Sequence, residues 1–363
     1  MTTNSEAAHV PRFLAHRALA DQVALVAGAT RGAGRGIARV LGQAGATVYC
    51  SGRSGEGVAA TPGRPETIEE TARSIEADGG RAVAVRVEHT DEEQVRDLVE
   101  RIRTEQGRLD VVVNSIWGGD AITEWGRRFW EIDVAVARTL LERAVLSHLI
   151  TSRHAAALMV EQDRGLIVEV TDGHEPGYRG QIVYDLVKAA NIRLGYAMAW
   201  DLAQTGVTAL TVTPGFLRSE AMLEHLGVDE ASWRDAIAKD PFFAESETPQ
   251  YVGRAVAAVA ADPDRRRLAG AVFNAGELAA RYGFTDVDGR TPRFFELLEE
   301  TTRELAARPG PLDEHERFLV LARYRQVHLN PARREEAERL WRCLRLEDAG
   351  VGVGLLPASL GPE

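Results

Sequence analysis

"VALVAGATRGAGRGIARVLGQAGATVYCSGR", Val23–Arg53, decides the fold. Its opening "VALVA", Val23–Ala27, is a short apolar run of the kind a buried strand needs. The glycine-rich "GATRGAGRG" follows at once, and then Ile37, Ala38, Val40 and Leu41 recur at helical spacing. Gly45 stands where a C-cap glycine would end that helix, and "ATVYCSG" begins a second β-rich run. The stretch therefore predicts a strand, a tight turn, a helix and a parallel strand.

Outward from it the alternation continues. A helix over Ile68–Ala77 precedes the strand "RAVAVRV", and a helix over Glu92–Glu105 precedes "LDVVVN", which ends at Asn114. Helices within 131–160, the strand "GLIVEV", a helix around Lys188–Leu202, the strand "VTALTVTPG", a helix near Tyr251–Ala261 and the strand "AGAVFN" complete the series. Such alternation implies an α/β fold with a Rossmann-type, doubly wound parallel sheet in three αβα layers. The expected organisation is an N-terminal arm (1–18), a dinucleotide-binding catalytic domain (19–290) with a helical substrate lid (216–250), and a helical C-terminal extension (291–363). In the extension, Asn330 and Pro331 mark a helix start, with Ala337, Leu340, Trp341 and Leu344 on one face. Arg53–Pro65, rich in Gly, Pro and Ser, reads as a surface loop that carries no chemistry.

The 363 residues are 45% hydrophobic and 27% charged, ordinary for a soluble protein. A net charge of -11 argues against a nucleic-acid partner. Met1–Leu14 lacks the pattern of a signal peptide, and no apolar run is long enough to span a membrane. With only Cys50 and Cys343 and no disulfide framework, a cytoplasmic location is expected.

Gly28, Gly32 and Gly34 lie where a strand turns into a helix, so unpaired amides and the positive helix end converge on one point. That geometry binds a pyrophosphate, and glycine lets the backbone approach it. Where NAD-selective sites end the second strand in an acid, this chain has Ser51, Gly52 and Arg53. Arg53, with Arg31 inside the turn, would chelate a 2′-phosphate, so NADP(H) is the expected cofactor.

Tyr184 and Lys188 are four residues apart and would share one helix face. Bringing a phenol from about 10 toward 7 requires about 4 kcal/mol, and a neighbouring lysine cation supplies such a field. At this point the chain resembles the short-chain dehydrogenase/reductase superfamily, through "AGATRGAG" and "YDLVK", over about residues 19–290, and more specifically a subgroup of actinobacterial and animal members of uncertain substrate. The resemblance implies an oxidoreductase that passes hydride between the nicotinamide and a carbonyl, a secondary alcohol or an imine. Tyr184 would be the acid/base, and Lys188 would bind the nicotinamide ribose and lower the tyrosine pKa. It also implies cofactor contacts at Thr30, Glu88, Asn114, Pro214, Gly215, Leu217 and Ser219, and a homodimer or homotetramer.

Two departures stand out. The family serine, thirteen residues before the tyrosine, is replaced in "VEVTDGHEPGY". Thr171 is the preferred substitute and Asp172 the alternative, whose carboxylate would suit a cationic substrate. The family's relay asparagine is missing, since no Asn occurs between Asn114 and Asn191; Glu142, Ser147 and His148 lie near the expected place. His174, Trp117, Trp125, Trp130 and Tyr178 would frame the pocket, which points to a small, partly apolar or aromatic substrate. No metal-ligand spacing is present. Two other readings remain: a cofactor sensor or scaffold that has lost turnover, and redox-neutral chemistry on the same fold.

Overall fold

The structure is a computed structural model that describes residues 11–174 and 177–348. Residues 1–10 of the expected arm, 349–363 of the expected extension and Glu175 lie outside the described residues.

After a single turn, α1 (Arg12–Ala15), the expected βαβ unit forms from β1 (Val23–Ala27), α2 (Gly32–Gln43) and β2 (Thr47–Gly52). Then come α3 (Ile68–Ala77), β3 (Arg81–Arg86), α4 (Glu92–Gln106) and β4 (Val111–Asn114). Helix α5 (Val134–Leu141) passes through a π-turn at Glu142–Leu146 into α6 (Ser147–Glu161). Next follow β5 (Gly165–Val170), α7 (Ile182–Asp201), β6 (Val207–Thr213), α8 (Glu220–Leu226), α9 (Pro249–Ala261), β7 (Val272–Asn274) and α10 (Ala275–Tyr282).

All seven strands are parallel, in the order β3-β2-β1-β4-β5-β6-β7. The order reverses between β1 and β4, and ligands of such sheets bind in the crevice at the carboxyl ends there. Every residue of β1, β4, β5 and β6 is buried, which is why these strands read as apolar runs rather than alternating ones. One face packs on α2 and α9 through Ile37, Leu41, Val252 and Val256. The other packs on α4 and α6 through Leu98, Ile102, Leu158 and Met159.

Helix α7 begins at Ile182, six residues before the expected start, because Gln181 caps it by accepting from the Tyr184 amide at 2.7 Å. The segment expected as a lid contains α8 and two short 3-10 turns. It is pinned by the buried Arg218, which donates to Ser246 O and Glu230 and lies over the Trp233 ring. The extension folds as α11 (Phe294–Ala307), α12 (Glu314–Val327) and α13 (Arg334–Asp348). Ala337, Leu340, Trp341 and Leu344 are buried there as the spacing predicts, in a core shared with Phe216 and Phe242 of the lid segment. Among the described residues no helix is long and apolar enough to cross a membrane.

Candidate active site

A cavity of about 770 Å³ opens at the carboxyl ends of β1, β4, β5 and β6, at the switch point. Its floor is the glycine turn. Gly28 has φ +89° and Gly32 φ +55°, and a Cβ on Gly34 would lie 2.1 Å from the Gly28 carbonyl oxygen. A side chain at any of the three is therefore strained or blocked. The Gly32 amide, first in α2, donates to Glu220 Oε2 at 2.8 Å, and Arg35 lies 3.8 Å from the other oxygen of that carboxylate. An anionic oxygen thus already sits where a helix start would take a phosphate oxygen, so the turn fits a pyrophosphate.

Four arginines, Arg31, Arg53, Arg64 and Arg143, line this side of the cavity with Thr30 and Glu88. Arg53 is 3.6 Å from Glu88 and packs against Gly118. Arg143, on the π-turn, donates to Gly118 O at 3.1 Å; burial and then Arg53 draw its pKa down. Arg31 reaches Thr61 Oγ1 at 3.3 Å and lies 3.8 Å from Asp120. Arg64 pairs with Glu224 of α8 at 2.8 Å. Thr61 and Arg64 correct the expectation that Arg53–Pro65 carries no chemistry, since contacts to Arg31 and α8 hold this loop over the site.

At the other end Tyr184 and Lys188 share one face of α7. The Tyr184 ring is bracketed by Trp117 and Trp125, with ring centroids 5.2 and 5.1 Å away. Lys188 Nζ lies 4.7 Å from the Trp117 ring centroid and 5.2 Å from that of Tyr184. Tyr184 Oη donates to Asp172 Oδ2 at 2.7 Å. Burial, and next the Asp172 charge, push the phenol well above its ordinary pKa. The carboxylate touches the phenol oxygen while the ammonium lies over the rings, so the shift runs opposite to the one a lysine cation alone would give. Burial lowers Lys188 in turn.

Thr171 and Asp172 both line the cavity. Thr171 Oγ1 donates to the Lys188 carbonyl at 2.9 Å, which ties β5 to α7, and the side chain beside the tyrosine is Asp172. Both residues follow the last residue of β5, Val170.

Near the missing asparagine, Glu142 is exposed and Ser147 bonds the Arg143 carbonyl. His148 is buried, with Nδ1 2.6 Å from Glu169 Oε2 and Nε2 2.9 Å from Ile116 O. Asn114 does not line the cavity: its amide donates to Glu169 at 2.7 Å and Ser152 at 2.8 Å, which joins β4 to β5 and α6. Pro214, Gly215, Leu217 and Ser219 do line it, and Ser219 also caps α8. Trp130 is 69% exposed and, like Tyr178 and His174, stays outside the lining. Phe216 and Phe294, which the sequence did not single out, form an apolar wall. Glu220, Arg143 and Glu169 were missed too; for Glu169 the signal was a lone charge inside a buried strand.

Residues 22–229 match the family model described as short chain dehydrogenase. The chain belongs to the short-chain dehydrogenase/reductase family. It is 35% identical over 274 residues to dehydrogenase/reductase SDR family member 1 of Mus musculus and of Homo sapiens, covering 74% of this chain and 84% of each relative. Among solved structures, this dehydrogenase/reductase is similar to gox2181, with a TM-score of 0.60 at 18% identity over 72% of this chain and 96% of that one. It is also similar to a metagenomic short-chain oxidoreductase in complex with NADP, with a TM-score of 0.53 at 23% identity, over 68% and 94%. Both structures share the fold. The family is one of nicotinamide-dependent oxidoreductases, and α9, β7 and α10–α13 follow the residues that the family model matches.

Proposed function

We propose that this dehydrogenase/reductase is an NADP(H)-dependent enzyme reducing a carbonyl or imine, or oxidising the corresponding alcohol or amine, with Tyr184 handling the proton. The observation that carries the reading is one cavity joining the glycine turn and its arginines to the Tyr184–Lys188 pair.

Gly28, Thr30 and Gly32 would hold the pyrophosphate, Arg31 and Arg53 the 2′-phosphate, and Pro214, Gly215, Leu217 and Ser219 would wall the nicotinamide. Glu88, in contact with Arg53, would stand on the adenosine side. When bound, NADPH supplies a hydride to the substrate carbon. Tyr184 would offer the proton, Lys188 would hold the nicotinamide ribose with its cation beside the phenol ring, and Trp117 with Trp125 packs on that ring. Steady-state NADPH oxidation with a carbonyl and imine panel tests this. Turnover that survives Tyr184→Phe unchanged would sink it.

An assembly of two or four copies is supported by Leu146, Leu149, Leu186 and Trp200, large apolar side chains left exposed around α6 and α7. Light scattering after size exclusion reads the copy number. A cytoplasmic location belongs to the same proposal, supported by the composition, and fractionation of the native host checks it.

A further inference from the structure

The hydroxyl of Tyr184 donates to Asp172 Oδ2 at 2.7 Å, so the group standing beside the catalytic phenol is an acceptor. A carbonyl oxygen placed within hydrogen-bond reach of Tyr184 Oη also meets this carboxylate. Reduction builds negative charge on that oxygen, and the two anionic centres then oppose each other. A protonated imine reverses every sign: its N–H donates, its charge is positive, and the carboxylate holds both.

The surroundings select the same species. Trp117, Trp125 and Tyr184 present three aromatic rings to the cavity, and a cation within about 6 Å of such a ring is attracted to its face. Trp125 is 57% exposed at the cavity edge, so its ring is open to a ligand there. Asp120 adds a second carboxylate and accepts from Trp117 Nε1 at 2.6 Å. The charged groups around Asp172 and Tyr184 are Lys188 on α7, Arg179 on the preceding loop and Asp120 after β4. Arg179 pairs with Asp185 at 2.9 Å and donates to the Asp172 backbone carbonyl.

We infer that this site takes its substrate as a protonated imine, with Asp172 binding the N–H and keeping the nitrogen protonated so that the adjoining carbon stays electrophilic. The inference rests on the oxidoreductase reading above. In the step, hydride from NADPH forms a C–H bond at the C=N carbon and the C=N π pair becomes the nitrogen lone pair. The imine is reduced and NADPH oxidised. The neutral amine then takes the Tyr184 proton, the resulting ammonium pairs with Asp172, and a solvent proton returns the Tyr184 phenolate to the phenol.

The test compares 3,4-dihydroisoquinoline with 1-tetralone, similar in size and aromatic, as NADPH-dependent substrates of the wild type, Asp172→Ser and Asp172→Asn. The expected result is a preference of about tenfold or more in kcat/KM for the imine in the wild type, lost or reversed in Asp172→Ser. The high-pH limb of the imine rate should move down by about one unit in Asp172→Asn, a shift that a merely structural role would not produce. A second readout is calorimetric binding of tetrahydroisoquinolinium to the protein without NADPH, expected to weaken about tenfold in Asp172→Asn while binding of tetralone holds. A wild type that reduces tetralone and ignores the imine overturns the inference and leaves the oxidoreductase reading standing. Equal losses for both compounds in both variants, or ammonium binding unchanged in Asp172→Asn, also overturn it. No NADPH consumption with either compound or with the wider panel overturns both.

Discussion

Tyr184 is held as a neutral phenol by two causes acting together, its burial and the Asp172 carboxylate at its oxygen. Because its pKa is raised, the protonated form persists through neutral pH and well above it, so the residue is poised as a donor. Reduction should therefore keep its Tyr184-dependent proton supply across the neutral range, while oxidation of the product should climb with pH as the phenolate becomes accessible. Initial rates measured in both directions from about pH 6 to about pH 10 check this; a reductive rate that falls along a Tyr184 titration below about pH 8 would contradict it. Tyr184→Phe should lose about 10²- to 10⁴-fold in kcat with NADPH affinity little changed. At the opposite end of the cavity, Arg53 is half-buried beside Glu88 and Gly118. Arg53→Ala should weaken NADPH binding by about 10- to 100-fold and leave NADH binding nearly unaltered, as a fluorescence titration would show.

Among the elements, α8 and the turns behind it tie the lid segment to the cofactor face. Glu220, first in α8, carries its carboxylate onto the Gly32 amide, a position a diphosphate would claim. Glu220→Gln removes that negative charge, and NADPH should bind more tightly by about threefold to tenfold at low salt, with a smaller gain at high salt. Behind α8, the buried Glu247 accepts from the Gly215 amide at 2.9 Å, and burial pushes its carboxyl up to about 8. A raised carboxyl favours the folded state while protonated, so this contribution is full below about pH 4.5 and is lost as pH rises through about 8. Glu247→Gln should therefore raise Tm at about pH 9 and change it little at about pH 5; equal effects at both would contradict the assignment. The strands and the glycine turn were legible in the sequence because burial on both faces imprints apolar runs and a phosphate-type turn demands glycine. The different partners of Thr171 and Asp172 were not legible, because counting residues back from Tyr184 does not say which side chain bonds the Lys188 carbonyl and which the phenol. Thr61 and Arg64 were hidden for a related reason: loop composition says nothing of the contacts to Arg31 and to α8 that hold a loop over a site.

Across the whole molecule, the extension is part of the pocket's construction. Its helical face was readable from Ala337, Leu340, Trp341 and Leu344, but periodicity names a buried face without naming its partner. The partners prove to be α11 and α12, with Trp341 stacked on Tyr324, and α11 in turn meets the lid segment: Phe294 lies 5.5 and 6.4 Å from Phe216 and Phe242 by ring centroid and also lines the cavity. Arg323, buried in α12, clamps the three helices through Glu299 at 3.1 Å and Glu336 at 2.7 Å. The Arg325 carbonyl accepts from the Tyr178 amide, on the loop between Asp172 and α7. Substrate fit should consequently depend on this segment while cofactor binding does not, because the arginines and the glycine turn lie on the far side of the cavity. Phe294→Ala should raise KM for an aromatic substrate by about tenfold, roughly the loss of one well-packed ring face, and leave the NADPH dissociation constant within about twofold. Arg323→Ala leaves Glu299 and Glu336 without their buried partner and should lower Tm first, with any loss of activity following the loss of fold. Thermal scans read beside the kinetics separate the two effects, and a Phe294→Ala enzyme with unchanged KM would remove the extension from the substrate site.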